Sequence, residues 1–268
     1  MQLELDFEKS VEENASQYFE QSKKAKQKLQ RLEKTIQETK KKIKKNGMQK
    51  KEETVLLKKK KREWFHSFHW FFSSQGFLVI AGRSAKSNEQ IVKKHLEKED
   101  FFLHADIPGG AATVVKSNGK KIPNETLEEA AQFAAVFSKA WASGLPFIDV
   151  YAVPAGQVSK QAPTGTALAT GSFMIYGKRQ YFRKTALRLA VGLKNEKQQE
   201  VVSGPLSAIK SQADCIFLVL PGRGKASDAA KTILKEFKKC SKKPLAVTLD
   251  EIIQMLPAGK MDVRKQSS

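Results

Sequence analysis

The sequence predicts an α+β protein, a mainly antiparallel sheet with packed helices, preceded by an N-terminal antiparallel helical hairpin of coiled-coil type. Three observations carry that expectation. Apolar residues recur at steps of four and three through the first forty positions, which marks a heptad seam. Short alternating apolar runs follow, several before one long helical pattern and several after it, rather than in regular strand-helix-strand succession. With 268 residues and 40% hydrophobic composition, the chain has enough apolar material for a full-sized core.

The seam comes first. Val11, Ala15, Tyr18, Ser22, Ala25, Leu29, Leu32, Ile36, Thr39 and Ile43 lie on one stripe, flanked mostly by lysine and glutamine, and a stripe so weakened by Ser22 and Thr39 needs an apposed partner. Asn46-Gly47 interrupts the pattern with residues suited to positive φ, and a return segment carries Met48, Val55 and Leu56. Residues 1–63 are therefore expected to form a basic coiled-coil arm and residues 64–268 an α+β domain.

The block WFHSFHWFF opens that domain. Continued from the return helix, it would put Trp64, Phe68, Phe71 and Phe72 on one face as an anchor for the arm, leaving His66 and His69 on the polar side. Strands are expected at 77–82, 101–106, 113–116, 147–153, 172–177, 187–193 and 215–220. Helices are expected at Asn88 to Leu96, from a capping box of Thr126 and Glu129 through FAAVFSKAWA, from Ser227 through AAKTILKEFKKC, and from a second box of Thr248 and Glu251.

Charge is the most informative total. The net charge is +20, and residues 23–62 hold 18 Lys and Arg against 4 Asp and Glu. Charge so dense repels itself, and a polyanion that releases counterions is the partner that relieves it. The N-terminus lacks a basic-then-apolar leader and no long apolar stretch occurs, so the expected location is cytoplasmic, with no membrane partner. Cys215 and Cys240 are too few for a disulfide framework, and Cys215, inside CIFLVL, reads as a buried inert thiol. The four histidines show no metal spacing, so no metal and no cofactor is expected.

Three constellations carry polar chemistry. Gly222, Arg223, Gly224 and Lys225 lie between a strand and a helix start, where they suit either an anion or a plain turn. Ser159, Lys160, Thr164, Gly165, Thr166, Thr170, Ser172, Lys178 and Arg179 form a second concentration, suited to phosphate and ribose contacts or to a polar hairpin loop. His104 and Asp106, two apart on a strand, share a face; they read as a structural pair or as a base with its orienting carboxylate, with no nucleophile beside them. An RNA- or nucleotide-processing enzyme using His104 and Asp106 is the alternative to a binding function.

Taken in order, WFHSFHWFFSSQGFLVIAGRSAKSNEQIV, FFLHAD, AAVFSKAW, QVSKQAPTG and ATGSFMIYGKR resemble the RNA-binding module of the NFACT family, the ribosome quality-control factors; the opening LDFEKSVEENASQYFEQSKKAKQK is similar to the lead into that family's coiled coil. The resemblance implies a non-enzymatic factor that binds the large ribosomal subunit, its rRNA and a stalled peptidyl-tRNA, and that helps recruit a Listerin-type E3 ubiquitin ligase. The positions it singles out for RNA are Arg83, Asn88, His104, Asp106, Lys160, Thr164, Gly165, Thr170, Ser172, Lys178 and Arg179, to which the loop residues Arg223 and Lys225 add from residue type alone. The family's N-terminal tRNA-engaging module has no matching segment here, so tail elongation is not expected of this chain by itself. Where the family continues His-Ala-Asp with Leu-His-Gly, this sequence has Ile107-Pro108-Gly109, which removes the second histidine from any catalytic scheme.

Overall fold

A computed structural model describes residues 6–7, 9–49, 63–160, 168–195, 199–241 and 243–265, and the side chains of all of these except 41–49. The chain divides into two compact units, residues 1–60 and 61–268.

Among the described residues the first unit contains one helix, α1 (Val11–Gln49). Ser10 and Glu13 close a reciprocal cap, Ser10 N donating to Glu13 Oε2 at 2.9 Å and Glu13 N to Ser10 Oγ at 3.2 Å. Asn14, buried, receives the Asp6 N–H and donates to the carbonyls of Asp6 and Ser10, so the lead-in folds back on the first turn. The seam residues Leu29, Leu32 and Ile36 are each more than half exposed. The turn expected at Asn46-Gly47 is absent, because helix geometry continues to Gln49. Gly47 stands in the last turn of α1, and one glycine costs a helix only about 1 kcal/mol. The expected return segment, with Val55 and Leu56, lies outside the described residues.

The second unit opens with a 3-10 turn, Trp64–Ser67, and then a strand, β1 (His69–Phe72), instead of the helix expected there. Alternation explains the aromatic density: on β1 the rings serve two cores. Phe71 faces one cluster, with Phe133 4.7 Å away, while Trp70 joins Phe68 in another on the opposite face. His69 shares the Phe71 face, stacks on Phe137 with ring centroids 3.8 Å apart, and is not the exposed histidine the helical spacing implied. Burial drives its pKa down to about 3.

The chain continues through β2 (Leu78–Ala81), α2 (Ala85–Lys94), β3 (Phe101–Ala105), β4 (Thr113–Val115), α3 (Asn124–Val136), α4 (Lys139–Ala142), β5 (Phe147–Pro154), β6 (Val158–Ser159), β7 (Met174–Ile175) and β8 (Gln180–Ala186). The strands of this half make a six-stranded sheet of order β1-β2-β4-β3-β5-β8, antiparallel throughout, with β6 and β7 paired apart. Then come β9 (Leu189–Asn195), β10 (Gln199–Gly204), α5 (Leu206–Lys210), β11 (Cys215–Gly224), α6 (Ala226–Cys240), α7 (Leu249–Met255) and β12 (Met261–Lys265). They form a four-stranded antiparallel sheet, β10-β9-β11-β12. One apolar cluster joins α3, α6 and the inner faces of both sheets, from Val79 and Leu103 to Val191, Phe217 and Ile233. On the other face of the first sheet, α2 and the segment around the β6-β7 ribbon pack through Ile91, Val158, Phe173 and Ile175.

Further differences from the expectations have physical causes. Thr126 and Glu129 do not cap α3, which starts at Asn124 after Pro123. Both are buried; Thr126 Oγ1 donates to Ser73 Oγ at 3.1 Å, and Glu129 accepts from Ser74 N at 2.9 Å and Ser207 Oγ at 2.6 Å. They tie the β1-β2 turn and α5 to α3. The long helix breaks at Phe137-Ser138, where Ser138 Oγ accepts from Ala140 N and restarts the chain as α4. Cys215 is not a free thiol but is joined to Cys240 across a Cα–Cα distance of 6.3 Å, linking the start of β11 to the end of α6. The sequence reading also lacked β6, which is only two residues long, and β8, β10 and β12, which lie at sheet edges.

Candidate nucleic-acid interface

A cleft of about 430 Å³ opens where β2 and β3 end and β4 begins. Arg83, Ser84 and Ala85 bring the start of α2 to one side of it, and Thr170, Gly171, Ser172 and Phe173 close the other. His104, Gly110 and Tyr151 line it from the sheet. Two glycines permit this closeness. A Cβ on Gly82 would collide with the Asn88 side-chain oxygen, and one on Gly171, at φ +79°, would sit 2.7 Å from the Ala85 carbonyl oxygen.

The predicted residues are brought together unequally. Arg83, Asn88, His104, Thr170 and Ser172 line the cleft. Asn88 is buried, and its amide is already used: Oδ1 accepts from Ala112 N at 3.0 Å and Nδ2 donates to Gly110 O at 3.2 Å, so it holds the β4 entrance in place. Arg83 is exposed; its guanidinium donates to Phe68 O at 2.9 Å and its backbone N–H to Ser87 Oγ at 2.8 Å. His104 Nδ1 lies 2.6 Å from the Ala105 carbonyl oxygen. Burial holds this imidazole below its ordinary range, opposed by the Ala105 and Gly110 carbonyls and by Asp106. Asp106 is exposed just past the end of β3, its N–H donating to Asp149 O at 2.8 Å.

Lys160 sits beside the cleft's far wall, 5.3 Å over the Phe173 ring and 2.7 Å from Glu89. Hydrogen bonds from Lys160 and then Lys93 hold the Glu89 carboxyl down to about 2, so this lysine's charge is largely matched within the protein. Lys178 and Arg179 lead into β8 and are exposed. Thr164 and Gly165 lie outside the described residues. Arg223, near the end of β11, and Lys225, which caps the start of α6, are not part of the cleft. There β11 runs on to Gly224, and the Asp262 carboxylate accepts from Arg223 N at 3.2 Å, supplying a negative group to the backbone that the residue types had suggested for a phosphate.

Residues the sequence reasoning missed complete the surface. Tyr151 stands opposite His104 in register, with ring centroids 6.0 Å apart, and opposite Tyr181 on the other side, 6.2 Å away. The Arg179 guanidinium lies 4.5 Å over Tyr151 and that of Arg183 lies 4.2 Å over Tyr181. Lys139 overhangs Gly109 at the cleft rim, close enough that a Cβ on this glycine would strike it. The alternation of FIDVYAV and QYFRK was the available signal: it puts Tyr151, Tyr181 and Arg183 on one face once β5 and β8 are paired. Aromatic rings interleaved with cations beside an open cleft suit the stacking and charge of nucleotides. Among the described residues no group of three or more His, Cys, Asp or Glu is placed to hold a metal ion.

The family model described as the NFACT protein RNA binding domain matches residues 67–177, an interval containing every residue that lines the cleft. The chain is 36% identical over 209 residues to the archaeal Rqc2 homolog aRqcH of Methanocaldococcus jannaschii, covering 76% of this chain and 30% of that protein. It is 36% identical over 181 residues to ribosome quality control complex subunit NEMF of Homo sapiens (66% and 17%) and 41% over 131 residues to ribosome quality control complex subunit 2 of Schizosaccharomyces pombe (48% and 13%). The chain thus spans less than a third of the length of each of these relatives. Among solved structures, the C-terminal part of the fibronectin/fibrinogen-binding protein from Streptococcus suis is a loose likeness, with 23% identity, 66% of this chain and 77% of that one covered, and a TM-score of 0.38.

Proposed function

The chain belongs to the NFACT family, and from that premise we propose that it acts in ribosome-associated quality control as an RNA-binding factor that docks on the large ribosomal subunit. The observation that carries the reading is the coincidence of the family's RNA-binding region with a cleft edged by Arg83, Lys139 and Arg179 and continued by Tyr151 and Tyr181. The lysine-rich first unit supports it, since residues 23–62 supply the dense positive charge that phosphate backbones attract. On this reading the ligands are rRNA and the peptidyl-tRNA of an obstructed subunit, and the place of action is the cytoplasm. Recruitment of a Listerin-type ubiquitin ligase rests on the family resemblance and is proposed with it.

Binding, rather than catalysis, is the role proposed for His104 and Asp106. The imidazole Nδ1 is engaged by the Ala105 carbonyl oxygen at 2.6 Å, and Pro108 stands where the family has a second histidine. The test is a filter-binding titration of the full chain with rRNA fragments. If six to ten phosphate contacts form, affinity falls roughly 10³- to 10⁵-fold between about 50 and 200 mM salt; a flat salt response contradicts the reading.

A further inference from the structure

We infer that the strip running from the cleft across β5 to the edge strand β8 grips single-stranded RNA by stacking bases on arginine-covered tyrosines, an inference that rests on the RNA-binding reading above. The strip begins at His104, passes Tyr151 and ends at Tyr181, all on one sheet face and in register across β3, β5 and β8. β8 is an end strand of its sheet, so nothing in the sheet stands beyond it. Tyr181 keeps 37% of its surface exposed, and the Arg183 side chain above it keeps 64%.

The charges facing the strip decide between two ways of holding RNA. Arg183 Nη1 is 2.6 Å from Asp149 Oδ2, and Asp106 lies near enough to act on both Arg183 and Tyr151. A surface meant only to attract phosphates gains nothing from a carboxylate beside its exposed arginine. For stacking the same carboxylate is useful, because it fixes the guanidinium over the Tyr181 ring and leaves its outer side for a base. Phosphate attraction then falls to Lys178 and Lys184, exposed on the lead-in and on β8. Lys184, at φ +49°, is held out by its N–H bond to Asp149 Oδ1 at 2.8 Å, where the β5-β8 register shifts. In an A-form duplex the base faces are covered by their neighbours, so a row of stacking groups serves only unpaired nucleotides.

Fluorescence anisotropy of the full chain tests this with a short unstructured RNA, the same RNA annealed to its complement, and an abasic ribose-phosphate strand. The double variant R179K/R183K keeps both charges and removes both guanidinium planes; Y181L removes the ring and keeps an apolar side chain. The expected result is single-strand binding at least about tenfold tighter than duplex or abasic binding. Each variant should then lose about 5- to 100-fold on the single strand, as expected from losing a base stack, with duplex binding and the salt slope unchanged. Equal affinity for duplex and single strand, or a lysine variant that binds single strands as well as the parent, overturns the stacking inference while leaving RNA binding standing. Binding to none of the three overturns both.

Discussion

The guanidinium of Arg179 lies 4.5 Å over the ring of Tyr151, whose strand partner is His104 of the cleft. One contact therefore couples the exposed lead-in of β8 to the floor of the proposed interface. Because Arg179 is exposed, Arg179→Ala should leave stability within about 0.5 kcal/mol of the parent. RNA affinity should fall by about fivefold or more, from losing one cation and one stacking plane. Parallel thermal melts and binding titrations check both halves.

Asn88 acts through position rather than through contact. Asn88→Ala removes the acceptor of the buried Ala112 N–H and one donor to Gly110 O, and should cost about 1–3 kcal/mol in denaturant unfolding. Gly82→Ala should be damaging for a related reason, since the new Cβ meets the Asn88 amide and the backbone of the same turn. Equal unfolding midpoints for parent and variants would show that the amide is not structural.

Lys116 and Asp100 form a buried ion pair under the loop between α2 and β3. The Lys116 ammonium also donates to His95 O at 2.8 Å, and the second Asp100 oxygen accepts from Ser117 N at 2.8 Å. Removing one partner alone strands a charge, so Lys116→Met should cost about 3–5 kcal/mol. The double variant K116M/D100L should recover part of that loss, which a double-mutant cycle in urea would measure.

How far the sequence revealed all this depended on where each residue sits. Strands in the middle of a sheet, such as LVIA and FFLHA, are apolar enough to be recognised alone. WFHSFHWFF was misassigned to a helix because a strand that packs rings on both faces shows no two-residue alternation of polarity, and its spacing also fits a helical stripe. β8 reads as polar because it is an edge, yet it supplies Tyr181 and Arg183 to the proposed binding strip. Arg83, His104, Thr170 and Ser172 were legible at the cleft through resemblance, whereas Tyr151 and Tyr181 required the pairing of strands far apart in the chain and Lys139 the placing of α4 beside Gly109. The Thr126 and Glu129 pattern of a helix cap was real chemistry used elsewhere, in ties to Ser73, Ser74 and Ser207.

The stacked His69 gives an acid-side signature. Its folded pKa, near 3, is below the ordinary histidine value of about 6.5, so in the unfolded chain it binds a proton that the folded chain refuses. This penalty is absent above about pH 6.5 and grows as the pH falls towards 3. Stability should drop by up to about 1.4 kcal/mol per pH unit in that window from this residue alone. His69→Phe, which keeps a ring against Phe137, should flatten the fall. Identical pH profiles for the two proteins would contradict the assignment.

Co-sedimentation of the full chain with purified large ribosomal subunits, obstructed and vacant, addresses the central claim most directly. The account predicts that the protein pellets with the subunits at about 50 mM salt, preferring obstructed ones, and is released as salt rises towards about 200 mM. A protein that stays in the supernatant at low salt, or pellets equally at every salt concentration, would contradict it.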